Sequence, residues 1–388
     1  MKDKSIDRRK FFNILGAGGA AMAITPLVTR KSFEQQSPSR PATNINDALK
    51  VPRKPESMPG KYPGTVVLIK HKDAVINDEP VEMAAYVMLQ KAMLELTDQK
   101  NLAKAWRIFV NPGEKIGLKV NPVAGKLLST SHAVVKSVVK QLTESGIDIK
   151  DIIIWDRREM ELKDVGFTPQ NYPGIKITGT EQQDEKGSFV DIEGKLYGER
   201  NIDREWYYWA DVEGEYDSET MPYMVNGGKF SYFTKIITRE VDKIINIPVL
   251  KNAGGSITNA MKNLAFGSVS NTGRLHTSLW NETCAEVCAF APLRDKVVLN
   301  ISDGLRGCFN GGPAANAQFI CNYNSLLVSS DPVAMDRIGY DIIAEKRIAE
   351  GIQNKAVPES LIFLAMATAL GLGISDKSKI DLRMFDIS

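Results

Sequence analysis

The sequence predicts an α/β protein with a mostly parallel sheet flanked by helices and an acidic, aromatic insertion. Short, near-continuously apolar runs alternate with longer segments of helical periodicity, which is typical of parallel strands buried on both faces. The chain has 388 residues, 43% hydrophobic and 25% charged, which is enough for one large domain or two fused ones.

The alternation begins after residue 63. Three strands and two helices are predicted in order at Thr65–Lys70, 80–98, Lys115–Val120, Ser131–Ser145 and Asp151–Asp156. Valines on one face support the second helix, and Gly146 ends it. Beyond the insertion we expect strands at about 232–238, 243–249, 296–301 and 325–329. The remaining helices are expected at about 256–266, 277–290, 332–348 and 358–370.

The insertion spans about 181–223 and differs in composition from its surroundings. Thirteen acids and four bases lie between Glu181 and Glu219, and an aromatic cluster occupies Trp206–Trp209. Such a cluster usually fixes a flap onto its own domain, and we favour that role. Contact with a sugar ring or another flat substrate is the alternative.

The N-terminus has the layout of a twin-arginine export signal over residues 1–30. Arg8 and Arg9 precede an apolar, glycine- and alanine-rich stretch from Phe11 to Val28. No clear cleavage motif follows. Residues 31–63, rich in proline and polar residues, are expected to be a flexible linker to the α/β domain at 64–388.

The export signal predicts a periplasmic or extracytoplasmic protein that uses the twin-arginine translocase, and an uncleaved signal would leave it tethered to the membrane. The formal net charge is +2, and the first 30 residues hold six bases against two acids. A basic surface for nucleic acid is therefore not expected.

Four cysteines are present: Cys284, Cys288, Cys308 and Cys321. Their spacing contains no CxxC pair, which argues against a zinc or iron–sulfur site. We expect no iron–sulfur cluster to be bound by this chain; any other cofactor is left open. Buried thiols, or one or two disulfides, are the favoured alternatives.

Polar residues follow several predicted strands, where ligands bind in open α/β sheets. They are Lys119, Asn121, Asp156, Lys251, Asn252, Asp303 and Asp331. Taken singly, Asp331 could be a helix N-cap and Asp303 part of a turn. His132 opens a predicted helix near Asn121 and is a further catalytic candidate, although a capping histidine is as common.

The segment Lys251–Gly267 is the most informative part of the chain. A strand, a Gly-Gly turn and a helix beginning at Ser256 are predicted, and such a helix start is an anion site. Its candidate ligand-binding residues are Lys251, Thr258, Lys262 and Asn263. A second glycine-rich loop, Asp303–Pro313, carries Arg306, which can pair with a carboxylate or phosphate.

Lys251 and the segments Thr258–Gly267, Ser129–Asp156 and Ser330–Asp336 resemble the domain of unknown function 362 family. The resemblance covers roughly residues 65–345, apart from the acidic insertion. This chain has Ala253 where the family usually has a histidine after the lysine. Some relatives are fused to iron–sulfur modules, whose cysteine clusters this chain lacks. The resemblance implies the fold and the site, and little about a reaction.

Together these features predict an exported protein that binds a small anionic ligand or a metal–anion group at the strand ends. As an enzyme, it would use Asp303, Asp331 or Asp336 as a general base or as oxygen ligands of a hard metal. The alternative is a non-catalytic binding or assembly partner of a periplasmic redox, iron–sulfur system.

Overall fold

A ten-stranded sheet positions the polar residues discussed below. The computed structural model describes residues 40–214, 228–254, 256–352 and 361–387, so the predicted signal at 1–30 lies outside them. The sheet contains β1 (Thr65–Lys70), β4 (Ile116–Lys119), β5 (Ile152–Arg158), β6 (Lys176–Glu181), β9 (Lys243–Asn246), β10 (Val249–Ala253), β11 (Ser256–Thr258), β12 (Val297–Cys308), β13 (Ile320–Ser329) and β14 (Asp381–Asp386). Two short hairpins lie apart from it: β2 (Val75–Ile76) with β3 (Glu79–Pro80), and β7 (Ile202–Trp209) with β8 (Phe230–Thr234).

The strand order is β14-β1-β13-β12-β9-β4-β5-β6, and β10 pairs with β11 and β12. From β12 to β6 all neighbours are parallel. β13 is antiparallel to both β12 and β1, and β14 is parallel to β1. The predicted mostly parallel α/β fold is confirmed. The carboxyl ends of β4, β5, β9 and β12 consequently lie along one edge, which we call the carboxyl edge.

Helices cover both faces of the sheet. They are α1 (Ile45–Lys50), α2 (Glu82–Thr97), α3 (Leu102–Arg107), α4 (His132–Glu144), α5 (Glu159–Asp164), α6 (Ala260–Ser268), α7 (Leu275–Ser278), α8 (Trp280–Ala289), α9 (Ala291–Arg294), α10 (Pro332–Ala349) and α11 (Ile362–Ala369). Ile152 and Ile154 of β5 pack into one core with α2, α3 and α4. Ile153 and Trp155, which point the other way, pack into a second core with α6, α8 and α11.

The helix predicted to begin at Ser256 begins four residues later. Ser256–Thr258 instead forms β11, which pairs antiparallel with β10 so that Thr258 lies opposite Lys251. Gly254 has a φ of +56°, a left-handed conformation that suits a hairpin turn. Asn259 is the N-cap of α6, which begins at Ala260. Thr258 therefore lies on a strand, not in the first turn of a helix.

The segment Asp303–Pro313, predicted to be a glycine-rich loop, is partly a strand in the structure. Its first half, through Cys308, is the end of β12, and the strand continues to pair with β13. A Cβ atom on Gly307 would lie 2.4 Å from the carbonyl oxygen of Leu250. That glycine therefore allows close approach of two strands, not the mobility of a loop.

Part of the segment predicted as a flexible linker packs against the rest of the structure. Residues 45–50 form α1, Ala48 is 1% exposed, and Met58 is fully buried. The backbone N–H of Met58 donates to the carbonyl of Arg294 at 2.7 Å. Residues 41–63 thus belong to the same folded unit as the sheet. Apolar side chains among the prolines drive this packing.

The insertion contributes β7, which pairs with β8 just after the insertion, and Tyr208 of its aromatic cluster is part of the second core. Tyr208 is fully buried, and its hydroxyl donates to Glu286 at 2.9 Å. The hairpin is therefore not an independent flap. Residues 215–223 of the insertion lie outside the described residues.

All four cysteines are free thiols. Cys308 pairs with Ile320 while Cys321 pairs with Gly307, so the two thiols leave opposite faces of the strand pair. The disulfide alternative is therefore wrong for this pair. Within the part of the chain that the structure describes, no helix is both long and apolar enough to span a bilayer.

Candidate functional site

A buried ion pair lies at the carboxyl edge of β4 and β5. Lys119 is fully buried and pairs with Asp156, which is 3% exposed. Its ammonium also donates to the carbonyl of Val120 at 2.8 Å and to Oδ1 of Asn263 at 3.0 Å. Burial lowers the pKa of Lys119, and the charge of Asp156 opposes that shift.

Asparagine side chains extend this ion pair into a network. Asn121 Nδ2 donates to Asn263 Oδ1 at 2.9 Å, and Lys251 Nζ donates to Asn121 Oδ1 at 2.9 Å. Asn263 Nδ2 in turn donates to Asn246 Oδ1 at 2.8 Å. Lys119 can only donate, so the oxygen of Asn263 must face it. This fixes the orientation of each asparagine amide in the series of hydrogen bonds. We call Lys119, Asn121, Asn246, Lys251 and Asn263 the edge network.

Lys251 and Lys262 are buried without an acidic partner. Lys251 is 1% exposed and Lys262 is 7% exposed. Among the described residues, Lys251 has one hydrogen-bond acceptor, the neutral amide of Asn121, and the ammonium of Lys262 lies over the rings of Phe266 and Trp280. Burial lowers the pKa of each lysine to about 8, and Lys262 contributes to the shift at Lys251.

The predicted anion site at the start of α6 is filled by the chain's own carboxylate. Asp336 accepts from the backbone N–H of Ala260 at 2.7 Å and of Met261 at 2.9 Å. Burial raises the pKa of Asp336 to about 7, against these hydrogen bonds. Asp336 therefore caps a helix, and the prediction of a free anion site there is wrong.

Asp331 is a structural carboxylate as well. It accepts from the backbone N–H groups of Val333, Ala334, Gly64 and Ile374 at 2.8–3.0 Å. Burial raises its pKa to about 6. Four donors satisfy both oxygens, so neither is available to act as a general base or metal ligand. The N-cap alternative accounts for this residue.

A groove of about 450 Å³ lies against the start of α4. The five residues of the edge network do not line it, but Thr130 does, and its hydroxyl accepts from the backbone N–H of Asn121 at 2.8 Å. Asp303 and Arg306 of β12, with His132 of α4, are among its lining residues. Asp303 is 2% exposed, accepts from the N–H of Ser131 at 2.7 Å and of Leu305 at 3.1 Å, and has its pKa raised by burial. Arg306 is half-buried, and its guanidinium is the positively charged group that the sheet contributes to the lining of the groove.

His132 has both ring nitrogens engaged. Nε2 lies 2.9 Å from the carbonyl oxygen of Val165, so it carries the proton. Nδ1 lies 2.7 Å from the hydroxyl of Tyr172 and accepts from it. A ring held at both ends is a packing residue, and the catalytic role predicted for His132 does not fit this arrangement.

The structure thus divides the predicted residues into three groups. Lys119, Asn121, Lys251 and Asn263 meet in one network, next to Thr258. Asp303 and Arg306 line the groove, while Asp331 and Asp336 serve as helix caps. Within the described ranges, no group of three or more His, Cys, Asp or Glu side chains is arranged to hold a metal ion.

Sequence reasoning missed Asn246 and Asn300, whose side chains are joined by a 3.0 Å hydrogen bond. Each is a polar residue inside an otherwise apolar strand sequence, and that interruption is the signal by which the sequence could have indicated them. It also missed Gly267. A Cβ atom there would lie 2.3 Å from Cε of Lys119, so the glycine makes room for the ion pair.

Comparisons with known proteins give little functional information. None of the curated proteins matches the chain. A solved structure with some similarity is that of a Thermotoga maritima protein, a Northeast Structural Genomics Consortium target, at 11% identity and a TM-score of 0.34. The match covers 71% of this chain and 60% of that one, less than two thirds of its length. The model of the family described as a domain of unknown function (DUF362) matches residues 210–341, which supports the family resemblance for that part of the chain.

Proposed function

We propose that the carboxyl edge of the sheet binds a small anionic ligand through Lys251, Lys262 and Arg306. One observation carries the proposal: Lys251 and Lys262 are both more than nine-tenths buried, and neither has a carboxylate partner among the described residues. A charged group buried without its counter-charge destabilises a folded protein. A bound anion would supply that counter-charge.

Lys119 provides the internal comparison. It is as deeply buried as Lys251, yet it is neutralised by Asp156. Among the described residues, one of these three buried lysines is thus paired with an acid, which supports an external partner for the other two. A purely structural lysine at this depth would be expected to have an acid beside it.

Arg306 and Lys251 leave the same face of the sheet, which supports a shared ligand. Lys251 pairs with Cys308 across parallel strands, and Arg306 lies two residues before Cys308, so all three side chains leave the same face. Arg306 lines the groove, and its guanidinium can hold a carboxylate or phosphate with two hydrogen bonds. The groove volume of about 450 Å³ suits a small molecule.

Calorimetric titration of the full chain with inorganic phosphate and with pyruvate tests this function. We expect Lys251→Met and Lys262→Met each to weaken binding by about 2–5 kcal/mol, because each removes a buried charged contact. Lys296→Met is the matched control: this half-buried lysine is held by the carbonyls of Ile237 and Val241, at 2.7 Å each.

The control variant should bind as the wild type does. Equal affinity of the wild type, Lys251→Met and Lys262→Met would overturn the proposal, as would the absence of any binding. Affinity should also fall as the pH rises through about 8, where Lys251 and Lys262 lose their protons. Lys262, Glu161 and Asp156 are the charged groups that act on Lys251.

A further inference from the structure

We propose that the groove against the start of α4 binds an α-amino acid with an apolar side chain, held by Asp303 and Arg306. Asp303 receives the ammonium of the ligand, and Arg306 receives its carboxylate. The inference rests on the proposed function for the role of Arg306 as an anion contact. It adds an opposite charge at Asp303, and with that charge a class of ligand.

Asp303 and Arg306 bring opposite charges to one groove without pairing with each other. Both line the groove of about 450 Å³. Within the described ranges neither side chain forms an ion pair, and Nε of Arg306 is buried without a hydrogen-bond partner. Burial raises the pKa of Asp303, while its hydrogen bonds and the charge of Arg306 oppose that shift, so the two charges lie within electrostatic range. A ligand that carries both charges can bridge the gap between them.

Asp303 keeps acceptor capacity for a cation. Its Oδ2 accepts from the N–H of Ser131 at 2.7 Å and its Oδ1 from the N–H of Leu305 at 3.1 Å, with a further side-chain hydrogen bond from Ser131. An ionised carboxylate offers about four acceptor positions, so at least one remains. Asp303 is only 2% exposed, and a carboxylate buried without a counter-charge is costly. The ammonium of a bound amino acid supplies that counter-charge.

An irregularity in β12 brings the two side chains to the same groove. Asp303 and Arg306 are three residues apart, so the alternation of a regular strand would place them on opposite faces. β12 loses register with β10 between Asp303 and Cys308, and with β13 between Gly304 and Arg306. Such irregularities re-aim side chains and are frequent beside binding sites. The strand is therefore irregular at the place where both charges reach the groove.

The rest of the lining suits a ligand that is apolar and without net charge. The charged side chains of the groove balance, three bases against three acids: Lys126, Lys163, Arg306, Glu79, Asp164 and Asp303. A balanced lining complements a zwitterion better than a polyanion such as a nucleotide. The apolar lining includes Pro80, Leu128 and Val165, which can contact an aliphatic side chain. The volume of the groove is within the range of small-molecule sites.

Calorimetric titration of the full chain with leucine and two single-charge analogues tests the inference. 4-Methylpentanoate keeps the carboxylate and lacks the ammonium, whereas 3-methylbutylamine keeps the ammonium and lacks the carboxylate. We expect leucine to bind, and each analogue to bind roughly tenfold or more weakly, because each leaves one charged side chain without its partner. An analogue that binds as tightly as leucine would overturn the inference, as would the absence of leucine binding. If 4-methylpentanoate is that analogue, the anion site still stands; if leucine, both analogues, phosphate and pyruvate all fail to bind, both proposals fall.

Two variants assign the contacts. Arg306→Met should bind leucine no better than the wild type binds 3-methylbutylamine, and Asp303→Asn no better than the wild type binds 4-methylpentanoate. Arg383→Met is the matched control: this half-buried arginine lies on β14, at the end of the strand order, and its Nε donates to Asp381 at 2.8 Å. The control should bind leucine as the wild type does, and unchanged leucine binding in Arg306→Met would contradict the inference. Should Asp303→Asn fail to fold, the analogue titrations on the wild type still decide the question.

Discussion

Gly267→Ala tests whether the buried ion pair fixes the position of α6. Helix propensity alone predicts that alanine would stabilise the helix by up to about 1 kcal/mol. The structure predicts the opposite sign, because the new Cβ atom would lie 2.3 Å from Cε and 2.6 Å from Nζ of Lys119.

The end of a lysine usually moves away easily, but this one is held. Lys119 is fully buried and its ammonium has three acceptors: Asp156, Val120 and Asn263. Displacing it would leave Asp156 buried without its partner, which costs about 3–5 kcal/mol. After the gain in helix propensity, we expect a net loss of about 2–4 kcal/mol.

Urea unfolding followed by circular dichroism at pH 7 measures this difference. Ser268→Ala is the matched control, since it changes the neighbouring buried residue, adds no volume and removes a hydroxyl that has no hydrogen-bond partner among the described residues. The control should be neutral or slightly stabilising. A Gly267→Ala protein as stable as the wild type, or more stable, would refute the link between Gly267 and the Lys119–Asp156 pair.

Two further predictions concern pH and export. Burial raises the pKa of Asp336 to about 7, above its value in the unfolded chain, so the stability it contributes is present below about pH 4 and is lost as the pH rises through about 7. Unfolding free energies from pH 4 to 8 should fall less steeply in Asp336→Asn than in the wild type, and parallel curves would contradict this reasoning. Replacing Arg8 and Arg9 by lysine should retain the folded protein in the cytoplasm, and cell fractionation showing unchanged export would rule out the twin-arginine route.

The regular elements could be predicted from the sequence because their signals are local. Apolar runs such as Thr65–Lys70 identify strands, and the serine before His132–Glu144 is a helix cap whose side chain accepts from Val134. The start of α6 was misplaced for a physical reason. A three-residue strand such as Ser256–Thr258 is too short for its alternation to show, and a Gly-Gly pair suits either a hairpin or a helix start.

The candidate site could be predicted only in part. Residues near the carboxyl ends of strands, such as Lys119 in β4 and Lys251 in β10, meet because parallel strands share an edge. The roles of Asp331 and Asp336 depended on partners distant in sequence, such as Gly64 for Asp331 and Ala260 for Asp336. No local pattern shows that a carboxylate will be saturated by backbone N–H groups from another element. The pairing of Lys119 but not Lys251 with an acid was likewise invisible before the fold was known.

The most direct test of anion binding at the carboxyl edge is an anomalous diffraction map from crystals of the full chain soaked in selenate, an oxyanion that scatters anomalously. Lys251, buried and without an acid, should attract the ion. We predict a selenium peak within about 4 Å of Lys251 Nζ, hydrogen-bonding distance to its oxygens, in the wild type and its loss in Lys251→Met. Selenium peaks only at exposed lysines, with none beside Lys251, would contradict an anion site at this edge.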